Sequence, residues 1–587
     1  MFNRNKSSVL NHRKKNRSKI IKTIIQMVII VSVCALLLFA LVDFKKYEEL
    51  DKTQWTNQNG FIALSYFGID RTGTPKRISK KEIDKQLKAL HSQGYQTISQ
   101  QDIIDFYAKG KALPEKALFL SFEDGRNDSS IFVHPSLKKY NYKATFLSYA
   151  NKMGNGDGKF LQPKEMLEMV KGGFWELGTN GYRLTYINTF DDEGNYIGVR
   201  DENQLKNKEH IEYYNHYLMD FIRDENMVPI ENRNEMEKRI KEDYKLMKDV
   251  YTEKLGFVPE VYMIMHANAL YGGVNQLISN ANDEQIKATF NIHFNLEGNA
   301  YNGKDGNLIN LTRVQPAPYW YTNHLLMKIQ KDTAEKMEFV LGDEKRAKMW
   351  RNIDGVAEFM DNRIVLTSPP AKEGRLYLLN SADYEDIKMM ASLSGNIVGR
   401  QSIYLRYDEK KNTFVRVVLE NNKVIVEEKP LGKGVRQLGT YKLSEVEQNI
   451  EDIAFDKATV YTHEQTMAGA RTPESEYQIN SKQTRDFEIV VQGNKLSANT
   501  DGDYLFADLE IDSSLTKGGI GLGASYHKQN KKDDIYDGVF DDIVVKSIED
   551  NGDEKVLSSN TLDGFQKVGG TLKKAFNNAT NWVIDTF

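Results

Sequence analysis

The chain has 587 residues, of which 40% are hydrophobic and 12 are proline, with a formal net charge of −3. That composition excludes the collagenous and disordered classes, and the length exceeds what one hydrophobic core can fill, so roughly two to four domains are expected. Positions 1–22 hold eight basic residues and no acidic one, leaving 71 Lys and Arg against 82 Asp and Glu in the rest, an acidic body that argues against nucleic acid as a ligand.

The first element is the run 24–42, which is 19 residues long and uncharged. As a helix it spans about 28 Å, close to the hydrocarbon thickness of a bilayer. The basic tail 1–23 precedes it and Asp43 closes it. The positive-inside rule therefore predicts a single-pass cell-membrane anchor with a cytoplasmic N-terminus and an extracellular main body. The run is longer than a signal-peptide core, and no small-x-small cleavage site follows it. Cys34, the only cysteine, lies inside it, which excludes an intramolecular disulfide. Residues 43–60 are polar and read as a linker.

From residue 61 strands and helices alternate. Residues 61–69 (FIALSYFGI) read as a strand, and 78–94 carry Ile83, Leu87 and Leu90 at helical spacing before Gly94. Segment 117–125 (ALFLSFEDG) is an apolar strand ending in an acidic loop. A helix end and a strand follow over 136–150, another strand end at 174–180 (FWELGTN), an amphipathic helix over 235–256 and a strand at 258–267. This alternation predicts a parallel α/β sheet or barrel over 61–325. A helical connector is expected over 326–354.

From 355 to 549 the period changes to two. The runs 402–408, 413–428, 486–500, 504–511 and 538–548 alternate apolar and polar residues, with turn residues at Asn421-Asn422 and Gln492-Gly493-Asn494. That pattern predicts an antiparallel β-sandwich. A long loop is expected over 457–482, and a C-terminal helical tail over 550–587 that docks on the protein, a partner or the membrane.

The strand and loop order over 61–150, together with the block Ser121-Phe122-Glu123-Asp124-Gly125, resembles the polysaccharide deacetylase family (NodB-type, carbohydrate esterase family four). The resemblance covers roughly 61–325. It implies a distorted (β/α) barrel with its site at the C-terminal strand ends. It also implies a divalent metal, usually zinc, that activates a water for hydrolysis of an acetamide C–N bond. The family motif Thr-Phe-Asp-Asp-Gly places Glu123 at the catalytic-base position and Asp124 at a metal-ligand position. The extra methylene of a Glu base displaces its carboxylate by about 1 Å, an error that costs on the order of a hundredfold in rate.

The family's second motif, Glu-(Ile/Leu)-Gly-Ser-His-x-x-x-His, reads here Glu176-Leu177-Gly178-Thr179-Asn180-Gly181-Tyr182-Arg183-Leu184. Asn180 and Leu184 thus stand where the two ligand His would be, and neither matches an imidazole as a zinc ligand. His266, at a strand end, is the candidate to rebuild a metal site with Asp124 and Glu123. His210 and His216 are spaced so that they form no pair, and His134 before Pro135 reads as a structural residue at a helix start. Trp175, Tyr182, His266 and Asn268 are the expected substrate-binding residues.

The strand pattern of 355–549 resembles the concanavalin-like (laminin-G-like) sandwiches, a fold that commonly binds sugars. Asp541 and Asp542 are either calcium ligands or a surface turn beside Phe540.

Three functions remain open on these residues. The first is an exopolysaccharide-handling relative of the deacetylases, with metal-dependent deacetylation lost or impaired, acting on a surface polysaccharide of N-acetyl-hexosamine type, in carbohydrate binding or beside the synthesis machinery. The second is an active polysaccharide deacetylase with an altered metal centre. The third is a structural or adhesive surface protein.

Overall fold

The structure, a computed structural model, describes residues 12–41 and 45–562, apart from 75–76, 155, 157, 192, 202–203, 205–210, 265–267, 269, 272, 395–398, 421, 445–483, 527–532 and 550. It divides into two compact units, Met1–Glu48 and Glu49–Phe587. In the first unit a helix runs over His12–Leu41 and takes in most of the apolar run. Among the described residues no helix is long and apolar enough to cross a membrane. The side chains of 33–41, and Val42, lie outside the described residues.

The second unit opens with a barrel. Strand Gly60–Tyr66 pairs in parallel with Ala117–Phe122, which pairs with Ala144–Tyr149, then Trp175–Gly181, Val261–Met263, Ile292–Glu297 and Leu311–Arg313. The ring closes where Leu64 bridges Val314 in parallel, with Ser65 N donating to Val314 O at 2.9 Å. Each strand is buried along most of its length, as a barrel wall covered by helices requires.

The helices form where local chemistry favours them. Helix Lys80–Ser92 is capped by the Ser79 side chain and buries Ile83, Leu87 and Leu90, and Gly94 follows it at φ 85°. Helix Arg233–Leu255 begins with a capping box between Asn232 and Glu235 and ends at Gly256, at φ 85°. His134 is not at a helix start: it lies inside Asn127–Tyr140, where its Nδ1 accepts the Trp175 indole N–H at 3.1 Å. Ile211–His216 is a strand, part of a three-stranded antiparallel sheet with Thr185–Asp191 and Tyr196–Asp201 inserted after the Trp175–Gly181 strand.

After the barrel come helix Thr322–Thr333 and the short Glu344–Ala347. The first strand of the β-rich region is Trp350–Asp354, paired with Glu373–Leu378. Two antiparallel sheets follow, of seven and eight strands. Met389, Leu393, Phe487, Ile489 and Val491 of one sheet and Ile403, Val415 and Val417 of the other point into one shared apolar core. The hairpin at Gly493 forms as expected, with Gln492 opposite Lys495 and φ 57° at the glycine. Segment 457–482 lies outside the described residues, as does 563–587, where the C-terminal helix is expected. The first part of the expected helical tail 550–587 is instead a strand: Glu554–Ser559 pairs with Asp537–Ile548 and extends the sheet.

The barrel and the β-rich region meet at the start of helix Thr322–Thr333. His324, fully buried, faces Asp533 through Nε2 at 2.9 Å and Asp537 through Nδ1 at 3.2 Å. Burial opposes its charge, but the two carboxylates override burial and raise it to about 9. The Trp320 indole stacks on its ring at 4.3 Å and donates to Asp533. Glu82, in the adjacent helix, accepts from Thr322 Oγ1 at 2.8 Å, and burial pushes it up to about 7. Asp541 forms a bidentate pair with Arg363 at 2.8 and 2.9 Å, and Phe540 is buried beside it.

Candidate active site

The parallel strands all end at one rim, and five of them deliver polar groups there. Glu123 follows Ala117–Phe122, and its N–H donates to Tyr66 O at 2.8 Å. The residue is 2% exposed. Oε1 accepts from Ser65 Oγ at 2.7 Å, from Arg313 Nε at 3.4 Å and from Gln315 Nε2 at 3.4 Å, while Oε2 accepts from Asn180 Nδ2 at 3.3 Å. Arg313 is equally buried and also donates to Leu296 O. A carboxylate this buried requires such compensation, since an unpaired one would cost several kcal/mol.

Asn180 is spent on the same network. Its Nδ2 donates to Glu123 and to Met263 O at 3.0 Å, and its Oδ1 accepts the Asp124 N–H at 3.1 Å. The amide thus ties the ends of three strands together, reaching past Ala144–Tyr149 to the loop after Ala117–Phe122.

Asp124 and Gly125 turn the chain with φ 70° and 67°. A Cβ at Gly125 would lie 2.9 Å from Ser148 Cβ, so only glycine fits there. Asp124 Oδ2 lies 3.8 Å from Arg126 Nη1, an ion pair without hydrogen-bond contact.

The other expected residues are distributed differently. Leu184 is buried. Trp175 is 2% exposed, with its ring edge-on to Phe122 and Phe146 and its indole N–H on His134 of the helix Asn127–Tyr140, which buries it between strand and helix rather than on an accessible face. Tyr182 is half-buried two positions past Asn180, with the Arg183 guanidinium 5.2 Å from its ring centre. Arg183 in turn lies 3.4 Å from Asp243, which burial, opposed by Arg183, raises to about 6. Asn268, at φ 70°, accepts the Glu297 N–H and donates its own N–H to Asn295 O, a turn-closing role. His266 and His210 lie outside the described residues, and His216 is buried.

The structure adds Ser65, Arg313 and Gln315 to the site. The two from the last strand's end are 190 or more positions from Glu123. No spacing rule points to them; only the closure of the ring between the first and last strands brings them there.

A dication of the kind the resemblance implies would need free donors at these positions. Glu123 is engaged by four side chains, the Asn180 oxygen accepts a backbone N–H, and Leu184 offers no lone pair. Among the described residues no three His, Cys, Asp or Glu side chains converge as metal ligands. The described donors do not fit a zinc-type centre.

Residues 110–254 match the polysaccharide deacetylase family. Among curated relatives, the poly-β-1,6-N-acetyl-D-glucosamine N-deacetylase of Staphylococcus aureus is 28% identical over 131 residues, covering 22% of this chain and 43% of that protein. The enzyme of the same name from Escherichia coli is 31% identical over 91 residues, 15% of this chain and 14% of its own. The chain spans under half the length of the curated relatives it matches. The solved structure of IcaB from Ammonifex degensii aligns with 45% of this chain and 94% of its own, at 19% identity and a TM-score of 0.31. Within the matched residues, Asn180 links Glu123 to the Asp124 N–H, and Arg313, outside the match, pairs with Glu123.

Proposed function

We propose that this chain is an extracytoplasmic, membrane-anchored protein that binds or guides a surface polysaccharide of N-acetyl-hexosamine type, with metal-dependent deacetylation lost or impaired. The observation that carries this reading is the state of Glu123. A general base needs a free lone pair aimed at a water. Here the carboxylate at the base position is buried and shared among Ser65, Arg313, Gln315 and Asn180. The named activity of the relatives supplies the polymer class. The apolar run within helix His12–Leu41 and the basic residues before it support anchoring with the main body outside the cell. The β-rich region, on its concanavalin-like strand pattern, serves as a second glycan-facing module.

The test is acetate release from β-1,6-linked N-acetylglucosamine oligomers by the purified full chain, with and without added zinc, beside a binding measurement on the same oligomers. Binding without acetate release is the expected result. Metal-dependent acetate release would overturn the reading in favour of an active deacetylase that uses His266 in an altered centre. No binding to any oligomer would leave a structural or adhesive role.

A further inference from the structure

We propose that Arg126 is the resident cation of the deacetylase centre, standing beside Asp124 where the family places a dication, so that the site is assembled and charge-balanced without metal. This deepens the reading of a metal-free glycan site and rests on it.

The argument begins with the chain's local path. The loop 123–126 leaves the strand Ala117–Phe122 and turns through two left-handed residues, Asp124 and Gly125. That turn delivers Arg126 to the rim directly after the ligand-position aspartate. Its side chain is 13% exposed. Gly68 makes room for it: a Cβ there would lie 3.5 Å from Arg126 Cδ and 3.0 Å from Arg77 Cγ, so the two arginine stems cross over a position that has no side chain.

The guanidinium then sits among carboxylates, with Nη1 3.8 Å from Asp124 and Nη2 3.6 Å from Asp128. Its Nε is buried without a hydrogen-bond partner. The group is therefore held by charge and packing more than by directed hydrogen bonds. A buried guanidinium cannot be neutralised by losing its proton, because arginine remains charged at any physiological pH. It is thus a permanent positive charge beside Asp124, and it repels any cation that approaches the same carboxylate. Asn180 reinforces the exclusion by fixing the Asp124 backbone N–H. Arg77 extends the same charge outward, with Nη1 3.2 Å from both Asp70 and Asp128.

Loss of the ligand histidines is therefore one of two barriers to metal, and restoring imidazoles alone should not rebuild the centre. The experiment is isothermal titration of the full chain in detergent micelles with zinc chloride. Four forms are compared: wild type, Asn180→His/Leu184→His, the same pair with Arg126→Ser, and the same pair with Arg126→Lys. Urea unfolding of each form checks that it is folded.

The expected result is no stoichiometric zinc on the wild type. The Ser-containing triple variant should bind about a hundredfold more tightly than the two-His variant, because removing a unit charge at this distance relieves that order of repulsion. The Lys form should bind like the two-His variant. The proposal is overturned by one zinc bound tightly to the wild type, by two-His and Ser triple variants of equal affinity, or by a Ser triple variant no tighter than wild type. Failure of the wild type to bind any oligosaccharide while the zinc series behaves as expected would remove the functional reading and leave the role of Arg126 standing.

Discussion

Replacing His324 by Gln tests how the barrel is joined to the β-rich region. Both ring nitrogens face carboxylates, Nε2 at 2.9 Å from Asp533 and Nδ1 at 3.2 Å from Asp537, so both must donate and the ring is a cation. Asp537 is further held by the Tyr321 N–H and by Thr367 Oγ1 at 2.5 Å, and Asp533 by the Trp320 indole. The ordinary value of 6.5 is raised to about 9 in the folded chain. A group raised on folding contributes stability that is full below its unfolded value and is lost as pH climbs through the folded one. The shift is worth about 3 kcal/mol in total, and about 2 kcal/mol of it disappears between pH 7 and 9.5. Glutamine keeps one donor but no charge, and it leaves two buried carboxylates against each other, at a cost of about 3–5 kcal/mol at pH 7. Urea unfolding followed by tryptophan fluorescence reports on the seam directly, since Trp320 stacks on the His324 ring. The wild type should lose stability steadily from pH 7 to 9.5, and His324→Gln should start lower and stay flat. An equal slope in both proteins would refute the assignment of a buried imidazolium.

Glu82→Gln should act in the opposite sense. Burial raises Glu82 from 4.5 to about 7, so the stability linked to its proton is full below pH 4.5 and lost as pH rises through 7. The variant should be more stable than wild type by about 3 kcal/mol at pH 8 and equal to it near pH 4, which paired urea curves will show. Arg313→Leu leaves Glu123 buried without its cation and should cost about 3–5 kcal/mol; adding Glu123→Gln should recover much of that loss, a coupling read from a double-mutant cycle of unfolding free energies. Gly125→Ala puts a methyl 2.9 Å from Ser148 Cβ at φ 67° and should destabilise by about 1–3 kcal/mol in the same assay, more than Gly94→Ala, which meets the left-handed strain at φ 85° but no atom within 4 Å.

Much of the scaffold is legible one residue at a time. Ser79 before Ile83, Leu87 and Leu90 announces a helix start, Gly256 announces a helix end, and the short apolar run before Glu123 announces a buried parallel strand. These are local signals, carried by hydrogen bonds and contacts within a turn or a strand. The misplaced residues share a different property. His134 reads as a helix start because Pro135 follows it, yet Pro135 is inside the helix, where the Trp175 indole gives His134 a structural task from 41 positions away. Trp175 is expected among the substrate-binding residues, yet it is buried against Phe122 and Phe146 and donates its indole N–H to His134 of the covering helix.

The sequence by itself determined the apolar run 24–42, the run Ser121-Phe122-Glu123-Asp124-Gly125 and the presence of Asn180 and Leu184, since each is a statement about which atoms the chain contains. What those atoms do was decided only by tertiary structure. The charge of Glu123 is balanced by Arg313, the geometry of Asn180 is set by Met263 O and the Asp124 N–H, and the bond between the two halves rests on His324 between Asp533 and Asp537. Each of these contacts joins residues that are dozens to hundreds of positions apart. Ring closure and sheet packing create them, and in a water-poor interior they outweigh every local preference of the residues they join.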